Sequence, residues 1–119
     1  MGLSERVKNL LYNINMHLVD DIRKKFWNKE YEFSKHAVDQ SIIRDITVKE
    51  IQEAMVSCVL LEEYPKDKYG PSCLVLGFSY RKRPIHVQCS YPTRDKLKII
   101  TVYEPDENQW VDFRKRKKK

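Results

Sequence analysis

The chain has 119 residues, 41% of them hydrophobic and 34% charged, with a formal net charge of +6. That length favours one domain around one core, and no apolar run approaches the length of a membrane span. The charge is unevenly placed: subtracting the six cations from Arg114 to Lys119 from the 23 Lys and Arg leaves 17 basic against 17 acidic residues.

The body, residues 1–113, is therefore formally neutral. The tail, 114–119, is expected to be solvated, without fixed structure, and attractive to polyanions. The N-terminus turns polar at once, which argues against a signal peptide. Cys58, Cys73 and Cys89 lack paired spacing and read as reduced, buried thiols of a cytoplasmic protein.

From Ser4 to Lys29 there is no Gly or Pro, and Val7, Leu10, Leu11, Ile14, Leu18, Ile22 and Phe26 recur at steps of three and four. This predicts one long amphipathic helix over 4–29 with Ser4 as its N-cap. Its apolar stripe serves the core, with a homodimer surface as the alternative use. Ser34 then caps a short helix on which His36, Gln40 and Arg44 form a polar stripe at four-residue spacing. Thr47 and Glu50 have capping-box spacing, and Ile46 with Ile51 has that of a hydrophobic staple, so a further helix starts at Thr47.

After Cys58 the period changes to that of strands. Val59–Tyr64, Ser72–Tyr80, Pro84–Ser90 and Leu97–Tyr103 read as four strands joined by connections too short for crossover helices. The expected fold is α+β: N-terminal helices followed by a four-stranded antiparallel sheet in a single domain. Alternation places Ile85, Val87 and Cys89 on the helix-covered face with Ile100 and Val102. His86 then shares the opposite face with Thr101 and Tyr103.

His86 and Cys89 point to opposite faces, and the cysteines lack ligand spacing, so no metal site is expected. There is no G-x-S-x-G elbow and no glycine-rich phosphate loop, which removes serine hydrolases and nucleotide enzymes. What remains is a cofactor-free set of His36, Arg44, His86 and Tyr103. RNA cleavage needs such a set: an acid and a base near neutral pH, and a guanidinium for the crowded phosphate. Bringing His36, Arg44 and His86 into one cleft requires the short helix to sit at a sheet edge. Arg81, Lys82 and Arg83 in a strand connection, Gln40 on the stripe, and Arg114, Lys115 and Arg116 in the tail are the expected RNA-binding residues.

Several motifs carry a resemblance. They are Ser34-x-His36-Ala37, Arg44-x-Ile46-Thr47, Glu63-Tyr64-Pro65, Pro71 through Gly77, Arg83-Pro84-x-His86-Val87, and Ile100-Thr101-Val102-Tyr103-x-Pro105-Asp106 with Trp110. Together they resemble the prokaryotic family catalogued as domain of unknown function 4258, over roughly Leu18 to Asp112. Gln40 stands where that family usually has arginine. The resemblance implies a RelE/ParE/BrnT-like architecture and a toxin encoded beside a small zinc-binding helix-turn-helix antitoxin of the MqsA type. It further implies an endoribonuclease, with RNA, free or ribosome-associated, as its partner. The alternatives are a non-enzymatic RNA- or protein-binding module and a ParE-like gyrase inhibitor.

Overall fold

The computed structural model describes residues 2–7 and 17–118. Helix α1 spans Leu18–Trp27, strand β1 Tyr31–Phe33, helix α2 Lys35–Ile43 and helix α3 Val48–Met55. Strands β2 (Val59–Tyr64), β3 (Ser72–Phe78), β4 (Pro84–Ser90) and β5 (Leu97–Tyr103) follow, then β6 (Trp110–Val111) and β7 (Lys115–Arg116). Five strands form one sheet in the order β1-β5-β4-β3-β2, and β6 and β7 make a separate hairpin.

The helices start where the sequence says they should. Ser34 Oγ accepts from the Ala37 N–H at 3.0 Å and donates to the Ile100 carbonyl at 3.0 Å, so the α2 cap also ties the helix to β5. At α3 both halves of the Thr47/Glu50 capping box are formed, and Ile46 and Ile51 are buried beside it. The helix ends were less legible. Lys29 (φ 58°) and Asp45 (φ 54°) adopt the left-handed conformation that usually calls for glycine. The next N–H in each case reaches back to a helix carbonyl: Glu30 to Lys25 and Ile46 to Ser41, both at 2.8 Å.

One sheet face packs against the helices. Leu18, Ile22, Phe26, Ala37, Ile51, Ala54 and Met55 meet Cys73, Val75, Ile85, Val87, Cys89, Leu97, Ile99 and Val102. All three cysteines are free and buried, and burial pushes the Cys58 thiol up to about 12. The closest approach is at Gly77 on β3. A Cβ added there would lie 2.0 Å from the Ala54 carbonyl oxygen, so only glycine lets α3 settle onto the strand.

Four expectations are corrected. The sheet is five-stranded and mixed rather than four-stranded and antiparallel, because β1 pairs in parallel with β5, Tyr31 opposite Leu97 and Phe33 opposite Ile99. Its three residues satisfy the edge of β5, and Tyr31 stacks on Phe26 with ring centroids 4.2 Å apart. The helix expected over 4–29 does not run through residue 17, since α1 begins after His17 in the left-handed conformation (φ 60°). Residues 8–16 of that expected helix lie outside the described residues.

The basic tail is not structureless either, because Lys115 and Arg116 pair with Val111 and Trp110. Finally, a bulge between Gln88 and Cys89 sets Cys89 opposite Ile99, not Ile100. Ile99 thereby takes the core place expected of Ile100. No described helix is long and apolar enough to cross a membrane.

The Gly77 contact yields a direct expectation. Gly77→Ala must push a methyl group into helix backbone that has no flexible end to yield, and should destabilise the fold by about 3 kcal/mol, the upper end of overpacking costs. Urea unfolding measures this; an unchanged midpoint would show that α3 does not sit against β3 as described.

Candidate active site

The sheet face away from the helices holds a buried imidazole. His86 lies beside Tyr103 across the β4–β5 pairing and is fully buried. Its Nε2 is 2.6 Å from the Phe113 carbonyl oxygen and its Nδ1 is 3.1 Å from the Tyr103 hydroxyl. A carbonyl only accepts, so Nε2 carries the proton, and in the neutral ring Nδ1 accepts from the Tyr103 O–H. Burial holds the His86 pKa below the ordinary histidine value, opposed by the hydrogen bond to Phe113 and by the Glu62 charge. Burial likewise raises that of Tyr103, so both groups are neutral at neutral pH.

The roof over His86 is the β6–β7 hairpin. Trp110 meets the imidazole edge to face with centroids 4.5 Å apart, and the Phe113 ring meets Phe78 at 6.2 Å. Arg116 lies over Trp110, 4.6 Å from the ring centroid. It also grips Glu62 on β2 through two parallel bonds, Nε to Oε2 at 2.9 Å and Nη2 to Oε1 at 3.1 Å. The Tyr64 hydroxyl donates to the same carboxylate. Arg116 holds the Glu62 carboxyl below its ordinary value, and burial with the Glu62 contact pushes Tyr64 up to about 12.

Arg44 reaches this group from the other side. It is the C-cap of α2, and its guanidinium carbon lies 6.0 Å from the Tyr103 ring centroid. Nε donates to Gln40 Oε1 at 2.7 Å, so two of the three residues of the predicted stripe form a bonded pair. Arg44, Tyr103, Glu104, Asp106, Gln109 and Trp110 line a shallow cleft of about 340 Å³. A larger cavity, about 400 Å³, is lined by Glu32, Ser34, Ser90, Lys98 and Ile100 among others. It borders none of Arg44, His86 or Tyr103, so the smaller cleft is the candidate site.

The remaining predicted residues divide. His36 is exposed, two helical turns or about 12 Å of axis from Arg44, and no described contact joins it to the His86 group. Arg83 is structural: it pairs with Glu50 and Glu104 and donates to the carbonyls of Asp45 at 2.7 Å and Arg44 at 3.0 Å. It thereby seals the end of α2 and positions Arg44. Arg81, Lys82 and Lys115 are exposed. Arg114 lies 5.9 Å from the Phe78 ring centroid, which brings the hairpin beside the β3–β4 connection. Among the described residues, no three His, Cys, Asp or Glu side chains gather in a way that would hold a metal ion.

Sequence reasoning missed Glu62, Tyr64 and the roofing role of Trp110. Alternation along β2 puts Glu62 and Tyr64 on one face, and that was the available signal. The pairing with Arg116 across the hairpin had none.

A family model described as domain of unknown function (DUF4258) matches residues 33–104. The chain belongs to this family. The matched segment contains Arg44, Glu62, His86 and Tyr103 and ends before Trp110. No curated protein and no solved structure matches the chain.

The buried imidazole sets the sign of a pH dependence. A histidine whose folded pKa is depressed contributes full stability above its ordinary value of 6.5 and loses it as pH falls below that value. The Glu62 ion pair is lost only below the ordinary carboxylate value of 4.5, a separate window. Melting temperature should therefore fall between pH 7.5 and 5.5, and fall less steeply in His86→Gln. Equal slopes in the two proteins would mean that His86 is not held neutral.

Proposed function

We propose that this member of the family is a metal-independent endoribonuclease acting as the toxin of a toxin–antitoxin pair. The observation that carries the reaction is Arg44 over the Tyr103 ring and Tyr103 hydrogen-bonded to His86, with Arg44 and Tyr103 lining an open cleft. The toxin role and an MqsA-type antitoxin partner rest on the resemblance of the motifs.

The chemistry runs through Tyr103. Its hydroxyl proton points at His86 Nδ1, which leaves the oxygen lone pairs free to accept. A ribose 2′-hydroxyl bound there gives its proton to Tyr103 Oη while the Tyr103 proton passes to Nδ1. The 2′-oxygen forms its bond to phosphorus and the bond to the 5′-oxygen, on the far side of phosphorus, breaks; the leaving oxygen takes a proton from water at the open side of the cleft, and the imidazolium returns its proton to solvent through Tyr103. The products are a 2′,3′-cyclic phosphate and a 5′-hydroxyl. The imidazolium formed on the way donates from both nitrogens, to Tyr103 and to the Phe113 carbonyl, so neither is left unpaired. Arg44 offers forked donors to the phosphate oxygens as charge builds. Glu104 in the cleft is held by Arg83, and Asp106 Oδ1 accepts from the Asn108 N–H at 2.8 Å.

The test is incubation of purified protein with single-stranded RNA in EDTA, followed by end-group analysis. Cyclic-phosphate ends should appear. Tyr103→Phe and Arg44→Ala should each lower the rate about 100-fold or more, and His36→Ala should leave it within about twofold. RNA bound but uncut at every protein concentration would favour the binding-module reading. Full activity in Tyr103→Phe would remove the relay.

A further inference from the structure

The C-terminal hairpin is built against its own local preference. Arg114 N–H closes a turn onto the Val111 carbonyl at 3.0 Å, with Asp112 (φ 51°) and Phe113 (φ 60°) both left-handed. Hairpin loops of this kind favour Asn-Gly or Asp-Gly. Asp112 suits its place, but an aromatic residue with positive φ is an outlier. Each strand of the hairpin has two residues, far too little to hold itself together in water. Something outside the hairpin fixes it.

Contacts with the sheet do so: Phe113 and Arg114 meet Phe78 on β3, and three others gather around His86. The Phe113 carbonyl accepts from Nε2, Trp110 covers the ring, and Arg116 clamps Glu62 while lying over Trp110. The clamp is the one contact that joins the far strand of the hairpin to the sheet by charge. It is about half open to solvent, with Arg116 60% exposed and Glu62 27%, so it works as a latch and contributes little energy alone. Without it, β7 loses its charged tie to the sheet, and the Phe113 carbonyl is held only by its bond to His86, by Trp110 on the ring and by Phe113 and Arg114 on Phe78.

We propose that the hairpin is part of the active site, with Arg116 and Glu62 as positioning residues that hold the Phe113 carbonyl on His86. The carbonyl fixes the tautomer in which Nδ1 is free to take the Tyr103 proton, and Trp110 keeps water off the ring. A residue that the sequence placed in a solvated RNA-binding tail thus acts on the chemistry through main chain. This deepens the ribonuclease reading and rests on it for the kinetic part, while the geometric part stands separately. The groups around His86 are Tyr103 from β5, Glu62 from β2, and Trp110, Phe113 and Arg116 from the hairpin, with Tyr64 bonded to Glu62 and Arg44 over Tyr103.

The experiment compares the full chain with Arg116→Glu, the exchange Glu62→Arg/Arg116→Glu, and the milder Arg116→Gln. Two sets of quantities are read: the titration and Nε2 proton protection of His86 by NMR, and kcat and KM for RNA cleavage. Arg116→Glu should hydrate the imidazole, read as lost exchange protection of the Nε2 proton, which the charge change alone does not cause, and should also move its titration up. It should also lower kcat about 10-fold or more with KM changed less than about threefold. The exchange should restore both, and Arg116→Gln should fall between. If Arg116→Glu unfolds the protein, Arg116→Gln carries the same comparison. A folded variant with the Nε2 proton still protected overturns the proposal. Lost protection with unchanged kcat overturns the catalytic role of the latch. Lost Nε2 proton protection with no cleavage by any protein, wild type included, upholds the latch and overturns the ribonuclease reading alone.

Discussion

A buried imidazole has to find two hydrogen-bond partners, and most of the outer half of this protein follows from that requirement. Leaving one ring nitrogen unpaired at His86 would cost about 1–3 kcal/mol, a large share of a small domain's stability. The sheet supplies one partner, Tyr103, from the neighbouring strand. The other nitrogen points away from the sheet, where β-strands offer nothing. The Phe113 carbonyl fills that place, and to deliver it the chain beyond β5 must return over the sheet in a turn that Phe113 does not favour. Trp110 and the Arg116–Glu62 pair are then the means of keeping it there.

The helix-covered face is governed by a different contact. Gly77 lets α3 approach β3 until the Ala54 carbonyl occupies the space of a side chain. With α3 fixed, Glu50 meets Arg83, and Arg83 gathers the end of α2 through the carbonyls of Arg44 and Asp45. Arg44 is therefore placed over Tyr103 by the same packing that builds the core. The two faces meet at the β5 edge, where a core-determined guanidinium and a hairpin-determined imidazole flank one tyrosine.

Local signals in the sequence were read correctly where a few adjacent residues decide the outcome. The Ser34 cap, the Thr47/Glu50 box and the strands β2, β4 and β5 depend on neighbours within four positions, and matching the apolar faces of two adjacent strands was enough to group His86 with Thr101 and Tyr103. The misses share a cause. β1 is a strand only because β5 lies beside it, with 66 residues separating Tyr31 from its partner Leu97. The Ile99/Ile100 exchange comes from a bulge that alternation cannot reveal. Arg116 looked like one cation in a run of six, and only the position of Glu62 across the sheet makes it a latch. Of the polar stripe, Gln40 and Arg44 pair, while His36 is exposed.

The protonation pattern of one ring is the point on which the account stands. Nitrogen-15 NMR of the histidine side chains at pH 7.5 distinguishes a protonated from an unprotonated ring nitrogen directly. His86 should show a protonated Nε2, protected from exchange, and an unprotonated Nδ1 that shifts in Tyr103→Phe. A protonated Nδ1 with a bare Nε2 would contradict the account, because such a ring could neither donate to the Phe113 carbonyl nor accept the Tyr103 proton.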